Sequence, residues 1–284
     1  MTTSEELAVT QDEHAAPVEA WDAIAAGYER HVAPTEVPLA NEALSLAGLK
    51  PGESFLDVAA GTGGLSLPAA RRGAKVVATD WSAVMIESFE ARVREEGLSD
   101  ASGRVMDAHA LDLQDDTFDV TGSQFGVMLV PDQPRALREM VRVTKPGGRV
   151  LLIAYGSPAE IEFLHFFMGA LQAVVPDFAG LPDDPPPLEF QVSDTGVLRQ
   201  RLLEAGLKEV SVATSTERLE FRTGQEMWDW VLYGNPIPGM LIADLTREKQ
   251  ARMRQVLDGM LNERSDGNTA AVLTSPVNIG IGTK

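Results

Sequence analysis

Short apolar runs alternate with amphipathic stretches through the first half of the chain. Trp21, Ile24 and Tyr28 recur at helical spacing and predict a helix over residues 18–32. "EVPLANEALSLAGL" predicts a second helix, and "KPGES" turns the chain into a strand. "SFLDVAA" and "AKVVATD" are short apolar runs whose tips carry Asp57 and Asp80, with the helix "LSLPAARRG" between them. "SAVMIESFEARVREEG" reads as an amphipathic helix opened by Ser82, whose hydroxyl can accept from an open N–H of the first turn. "GRVMDAHAL" and "DTFDVTGSQFGVML" read as strands running into loops. "QPRALREMVRVTKPGG" reads as a helix closed by a Lys-Pro-Gly-Gly turn, and "RVLLIAYG" as a fifth strand. Strands alternating with helices of about a dozen residues predict parallel βαβ units and a doubly wound α/β sheet.

Beyond residue 156 the pattern loosens. "SPAEIEFLHFFMGALQAVVP" is a long apolar helix, followed by the Pro/Asp turn "LPDDPPP", the helix "DTGVLRQRLLEAGL" and the strand "KEVSVATS". Two helical stretches are expected within residues 223–264. In "SPVNIGIGTK", Val277, Ile279 and Ile281 alternate as in a half-buried strand. Residues 158–188 and 223–268 do not fit a βαβ alternation and are expected to be lid or cap material around a pocket. The organisation expected is a loose polar tail over residues 1–16, then a single domain over residues 17–284.

Composition narrows the partners. At 284 residues and 44% hydrophobic, the chain is large enough to bury a full core. A net charge of −18 argues against nucleic acid, which requires a basic footprint. The absence of cysteine excludes disulfides, thiolate metal sites and cysteine nucleophiles, and no metal site is expected. No apolar run approaches the ~20 residues of a membrane span, and the acidic N-terminus is unlike a secretory signal. A cytoplasmic protein with a small-molecule partner is the expectation.

Candidate chemistry centres on Asp57–Gly64, D-V-A-A-G-T-G-G. Gly61 and Gly63 permit a tight turn at the carboxyl end of the first strand, where open α/β sheets bind ligands. A dinucleotide fingerprint wants glycine or alanine at its third position, where this chain has Ser66. Asp80, at the next strand tip, is placed to reach ribose hydroxyls, and Asp107 follows at a third tip. Asp57, Asp80 and Asp107 together predict an acidic, phosphate-free, adenosine-sized pocket. A sulfonium-bearing nucleoside suits it better than NAD.

These stretches resemble the class I S-adenosylmethionine-dependent methyltransferases, in the ubiquinone/menaquinone-methyltransferase-like small-molecule branch. "FLDVAAGTGG" is similar to the family's first motif, "VVATDWS" to its ribose motif, "VMDAHAL" to its adenine motif, and "ALREMVRVTKPGGRVLL" to the following helix-turn-strand. The resemblance implies a seven-stranded, mostly parallel sheet with an antiparallel last strand, and S-adenosyl-L-methionine as cofactor. By position it implies backbone contacts from Ala59, Gly61 and Gly63 to the methionine part, and Asp80 on the ribose. Trp81 and Met85 would pack on adenine, with Asp107 and the Ala108 N–H on its edge. Ser123 and Gln124 would lie beside the methyl group, and Tyr28 would cover the donor. His31 and His165 are the candidate bases among four histidines; His14 falls in the tail and His109 carries no assignment. Two departures stand out: Ala59 where the family often has glycine, and "GVMLVPD", which offers no catalytic group.

The function expected is methyl transfer to a small, largely hydrophobic organic acceptor by in-line displacement, in which alignment and exclusion of water do most of the work. An NAD-dependent dehydrogenase and a non-catalytic S-adenosylmethionine-binding protein are the rival readings.

Overall fold

The computed structural model describes residues 16–182 and 184–284; His14 and most of the expected tail lie outside them. Seven strands form one sheet: β1 (Ser54–Val58), β2 (Lys75–Asp80), β3 (Ala101–Val105), β4 (Phe118–Gln124), β5 (Thr144–Tyr155), β6 (Lys208–Phe221) and β7 (Ala271–Thr283). Their order is β3-β2-β1-β4-β5-β7-β6. The pairs β1–β2, β1–β4, β2–β3 and β4–β5 are parallel, whereas β7 runs antiparallel to both β5 and β6. This is the expected sheet, with the last strand slotted between β5 and β6. The chain reverses its winding between β1 and β4, which opens a crevice at the carboxyl ends of those strands.

Helices α1 (Val18–His31) and α2 (Ala33–Leu46) precede the sheet, and α3 (Ser66–Arg71), α4 (Ala83–Glu96), α5 (Gln133–Val143) and α7 (Thr195–Glu204) connect strands. The Ser82 hydroxyl accepts from the Met85 N–H at 3.0 Å and starts α4, which left-handed Gly97 (φ 66°) ends. The main core lies between sheet and helices, with Phe55, Leu56, Leu151, Leu152 and Ile153 fully buried. A second apolar cluster joins α6 (Glu162–Gln172), α8 (Gly224–Gly234) and α10 (Arg247–Ser265) to the far ends of β6 and β7. It contains Phe167, Trp228, Trp230, Leu257, Leu219, Phe221 and Leu273.

Several boundaries differ from expectation, each for a physical reason. β3 is an edge strand paired only with β2, and pairing stops at Asp80–Val105; Asp107 therefore sits in a turn two residues beyond the strand rather than at its end. The Lys-Pro-Gly-Gly stretch is not a turn closing α5 but a bulge within β5, with Gly147 at φ 77° and a register shift opposite Phe118 and Val120. β6 continues to Phe221 because residues 217–221 keep pairing with residues 271–275 of β7. Three helices, not two, occupy residues 224–265: Asn235 and Pro236 interrupt the chain, and Asn235 caps α9 (Pro236–Leu241) through its Oδ1 on the Ile237 N–H at 2.9 Å. The long apolar helix is helical only over α6. Ala16, assigned to the tail, is 6% exposed and packed into the protein. Among the described residues no helix is long and apolar enough to cross a membrane.

Candidate functional site

A cavity of about 210 Å³ straddles the crevice between β1 and β4. Its first half is built on the tips of β1, β2 and β3. Ala59 (φ 53°) and Gly61 (φ 54°) bend the chain after β1. A side chain at Gly61 would meet nothing closer than Tyr28 Cε1 at 3.9 Å, so backbone faces open space there. Asp80 pins this turn from the next strand: the Gly61 N–H donates to its Oδ2 and the Ser82 N–H to its Oδ1, both at 2.9 Å. Burial pushes the Asp80 pKa up, partly offset by these backbone donors.

Asp57 is 1% exposed, and the Ser66 hydroxyl donates to its Oδ2 at 2.6 Å. Its Oδ1 has no partner among the described residues, and burial raises the carboxyl to about 7. Asp107 accepts from the N–H of His109 at 2.9 Å and from its Nδ1 at 2.7 Å. Partial burial acts to raise this carboxyl, but the bonds from His109 outweigh it and hold the pKa below the ordinary value. The Asp132 N–H donates to His109 Nε2 at 3.3 Å, so the imidazole is held as the Nδ1–H tautomer. Trp81, 45% exposed, and buried Met85 and Ala108 complete this half.

The second half lies against β4, β5 and the second apolar cluster. The Tyr28 hydroxyl donates to Glu36 Oε1 at 2.5 Å, and Glu36 is 5% exposed. Burial raises Glu36 to about 7 despite that bond, and burial beside Glu36 drives the Tyr28 phenol well above its ordinary value. Gln124 donates through Nε2 to the Glu36 carbonyl at 3.2 Å, while its Oε1 has no partner among the described residues. Tyr155 ends β5; burial first, then the charges of Glu217, Glu36 and Glu189, pushes its phenol upward. Aromatic rings continue from there. Phe125 stacks on Tyr155 at 4.5 Å, Tyr155 meets Phe163 edge-on at 5.6 Å, and Phe163 meets Trp230 at 4.9 Å.

Of the residues singled out from sequence, Tyr28, Asp57, Ala59, Gly61 and Asp80 line this one cavity, together with Trp81, Met85, Asp107, Ala108 and Gln124. Four do not. Gly63 (φ 97°) faces away: a Cβ there would lie 2.5 Å from Phe89 Cδ2, so its role is close packing of the turn on α4. Ser123 is buried behind the strand tip, its hydroxyl accepting from the Val127 N–H at 3.0 Å. His31 stacks on Tyr233 at 5.4 Å outside the cavity, and His165 is exposed on the outer side of α6. Neither histidine is placed to act as a base. Glu36, Tyr155 and Glu189 line the cavity and were not singled out. No cluster of metal-ligating residues occurs among the described residues.

Comparison with known proteins agrees with this geometry. The model of the ubiE/COQ5 methyltransferase family matches residues 40–181, half of the 284 residues. The uncharacterised protein Rv1405c of Mycobacterium tuberculosis is 42% identical over 118 residues, covering 42% of this chain and 43% of that one, so the match spans less than half of this relative. A demethylmenaquinone methyltransferase of Streptomyces avermitilis is 34% identical over 169 residues, covering 57% of this chain and 71% of its own. The solved YcgJ protein from Bacillus subtilis superimposes with a TM-score of 0.56 at 17% identity, over 88% of this chain and 97% of that one, and shares the fold.

Proposed function

Because the chain belongs to the ubiE/COQ5 methyltransferase family, we propose that it binds S-adenosyl-L-methionine and moves its methyl group to a small organic acceptor. The observation that carries this reading is the charge of the cavity. Among the described residues, five carboxylates line it (Glu36, Asp57, Asp80, Asp107 and Glu189), and no lysine or arginine does. A pyrophosphate would find no cation there, whereas a sulfonium nucleoside is itself positive and carries no phosphate. Ser66, which breaks the dinucleotide fingerprint, is committed to Asp57. Nothing in the site favours the NAD reading.

The residues present fit such a nucleoside. Open backbone at Ala59–Gly61 would hold the amino-acid part, with the spare oxygen of Asp57 behind it. Asp80, pre-aligned by two backbone donors, would take the ribose hydroxyls on its remaining lone pairs. Trp81 and Met85 would sandwich the adenine, with the Ala108 N–H and Asp107 at its edge. The bound cofactor supplies an activated methyl group; the chain's own task is alignment and exclusion of water. The second apolar cluster, with α6 and α8, supplies the cover over the acceptor half. Trp230 and Phe163 belong to both that cluster and the cavity wall.

Calorimetry separates this from the dehydrogenase reading, and transfer of labelled methyl to a panel of acceptors separates it from a non-catalytic binder. S-adenosylhomocysteine is expected to bind and NADH is not; tight NADH binding in its place would overturn the assignment.

A further inference from the structure

The two halves of the cavity hold their acids differently. On the β1–β3 half, Asp80 and Asp107 are each met by two donors and Asp57 by one. The Glu36 carboxyl, which reaches from α2 over the glycine turn to where a Cβ on Gly64 would fall, borders both halves and also has a single side-chain donor, Tyr28. Glu189 follows the Pro-rich turn and lines the cavity, with its own backbone N–H as the donor to its carboxyl. The Oε1 of Gln124 is unpartnered there too, on a side chain only 8% exposed that also lines the cavity. Tyr155 lines the same cavity, and its phenol feels the charges of Glu217, Glu36 and Glu189. Among the described residues no lysine or arginine lines this cavity.

An acidic hollow without a cation is costly unless a ligand supplies one or the carboxyls stay protonated. The walls select the ligand further. Phe125, Tyr155, Phe163 and Trp230 form a continuous series of stacked and edge-on rings around the same space. Aromatic faces and carboxylates together recognise one functional group especially well, an ammonium carried on an apolar body. A neutral quinone-like acceptor would satisfy the rings and leave the carboxyls unanswered. An anionic acceptor would be repelled.

We propose that the space between Glu36, Gln124, Tyr155 and Glu189 is an amine subsite, which binds an aralkylamine with its ammonium nitrogen between the two glutamates and its apolar body on the aromatic wall; as a methyl acceptor it would first pass one proton to a glutamate carboxylate. This rests on the methyl-donor reading for its place in a reaction, but not for binding. Glu36 and Glu189 accept the N–H bonds and the oxygen of Gln124 accepts a third. Arrival of a cation also favours the charged carboxyl, so Glu36, which faces Tyr28, Asp57, Tyr155 and Glu217, gives up its proton when the amine binds near neutral pH.

The test is isothermal titration of the full chain with phenethylamine and with its neutral counterpart 2-phenylethanol, each with and without saturating S-adenosylhomocysteine. The amine is expected to bind about tenfold tighter or better, the effect of one charge-assisted hydrogen bond. Repeating the titration in two buffers of different ionisation heat should show proton release. Glu189→Gln and Glu36→Gln should each erase most of the preference; Glu189→Gln stands in if loss of the Tyr28 partner unfolds the second variant. Equal or tighter binding of the alcohol overturns the proposal, as does a preference that survives substitution or an amine that fails to bind at millimolar concentration. Absence of heat from S-adenosylhomocysteine itself brings down the methyl-donor reading and leaves the amine result standing.

Discussion

The tips of β1–β3 and the region under α6 and α8 are both acidic, yet they are built on opposite principles. In the first, two of the three carboxylates are satisfied before any ligand arrives: Asp80 holds Gly61 and Ser82, and Asp107 holds His109, while Asp57 keeps one oxygen unpartnered. Such a site is pre-organised, and its acids shape backbone as much as they contact ligand. In the second, Glu36 and Glu217 are 5% exposed with few donors, and burial lifts both toward neutrality. There the charge is held back, ready to be drawn out by a partner. On the proposed reading the first half takes the methyl donor and the second sets acceptor specificity.

The largest expected break in the first half is in the turn that supports it. Gly63→Ala combines a left-handed backbone (φ 97°) with a Cβ 2.5 Å from Phe89 Cδ2. It should destabilise the fold by about 2–4 kcal/mol and weaken cofactor binding with it, read by chemical denaturation and calorimetry. Asp80→Ala comes next. Loss of ribose contacts, and of the acceptor for Gly61 and Ser82, should weaken S-adenosylmethionine binding by about 1.5–3 kcal/mol. Unchanged affinity would place the ribose elsewhere.

That first half was legible because its chemistry is short-range: a glycine turn and an acid at or just beyond the end of each of three consecutive strands. The second half was written less openly, though not everywhere invisibly. Glu36 falls on the i, i+3, i+4, i+7, i+8 series with Leu39, Ala40, Ala43 and Leu44, all buried in α2, so its helical phase marked it as an interior acid. Glu217 alternates with Leu219 and Phe221 on the buried face of β6, a signal lost when the strand is ended at Ser215. Glu189 had no such mark, for it follows a Pro-rich turn without period and is brought to the cavity by tertiary packing alone. His165 misled for the converse reason: α6 is apolar nearly all round, and its sequence did not say which side faces out.

Both halves are tested by pH, through Asp57 in the first and Glu36 and Glu217 in the second. Burial raises Glu36 from 4.5 to about 7, Asp57 from 3.8 to about 7 and Glu217 from 4.5 to about 8. A carboxyl whose pKa is higher in the fold than in the unfolded chain favours the fold while both states are protonated. Its contribution is lost as pH rises from the unfolded value to the folded one. Asp119 acts oppositely: partial burial is outweighed by bonds from Lys145 and Ser54, which lower it to about 2, so its contribution disappears only in acid. The melting temperature should therefore peak at about pH 4 and fall toward about pH 8. Glu217→Gln should make that fall shallower. A flat or rising curve would mean these carboxyls are ionised within the fold.

The smallest effect lies where the two halves touch. Ala59 takes φ 53°, and across the crevice a Cβ on Gly126 would come within 2.4 Å of the Ala59 carbonyl oxygen. Ala59→Gly relieves about 1 kcal/mol of left-handed strain but adds conformational freedom to the unfolded chain, worth about 0.4–1 kcal/mol. Thermal stability should change by less than about 0.5 kcal/mol. Any change in function must then come from the cavity wall, where the Ala59 methyl group sits against the Phe125–Gly126 turn of the other half. If the methyl only fills space, acceptor and cofactor affinities stay put. If it braces one half against the other, acceptor affinity falls while S-adenosylhomocysteine affinity holds, and comparing the two titrations on this single variant tells which.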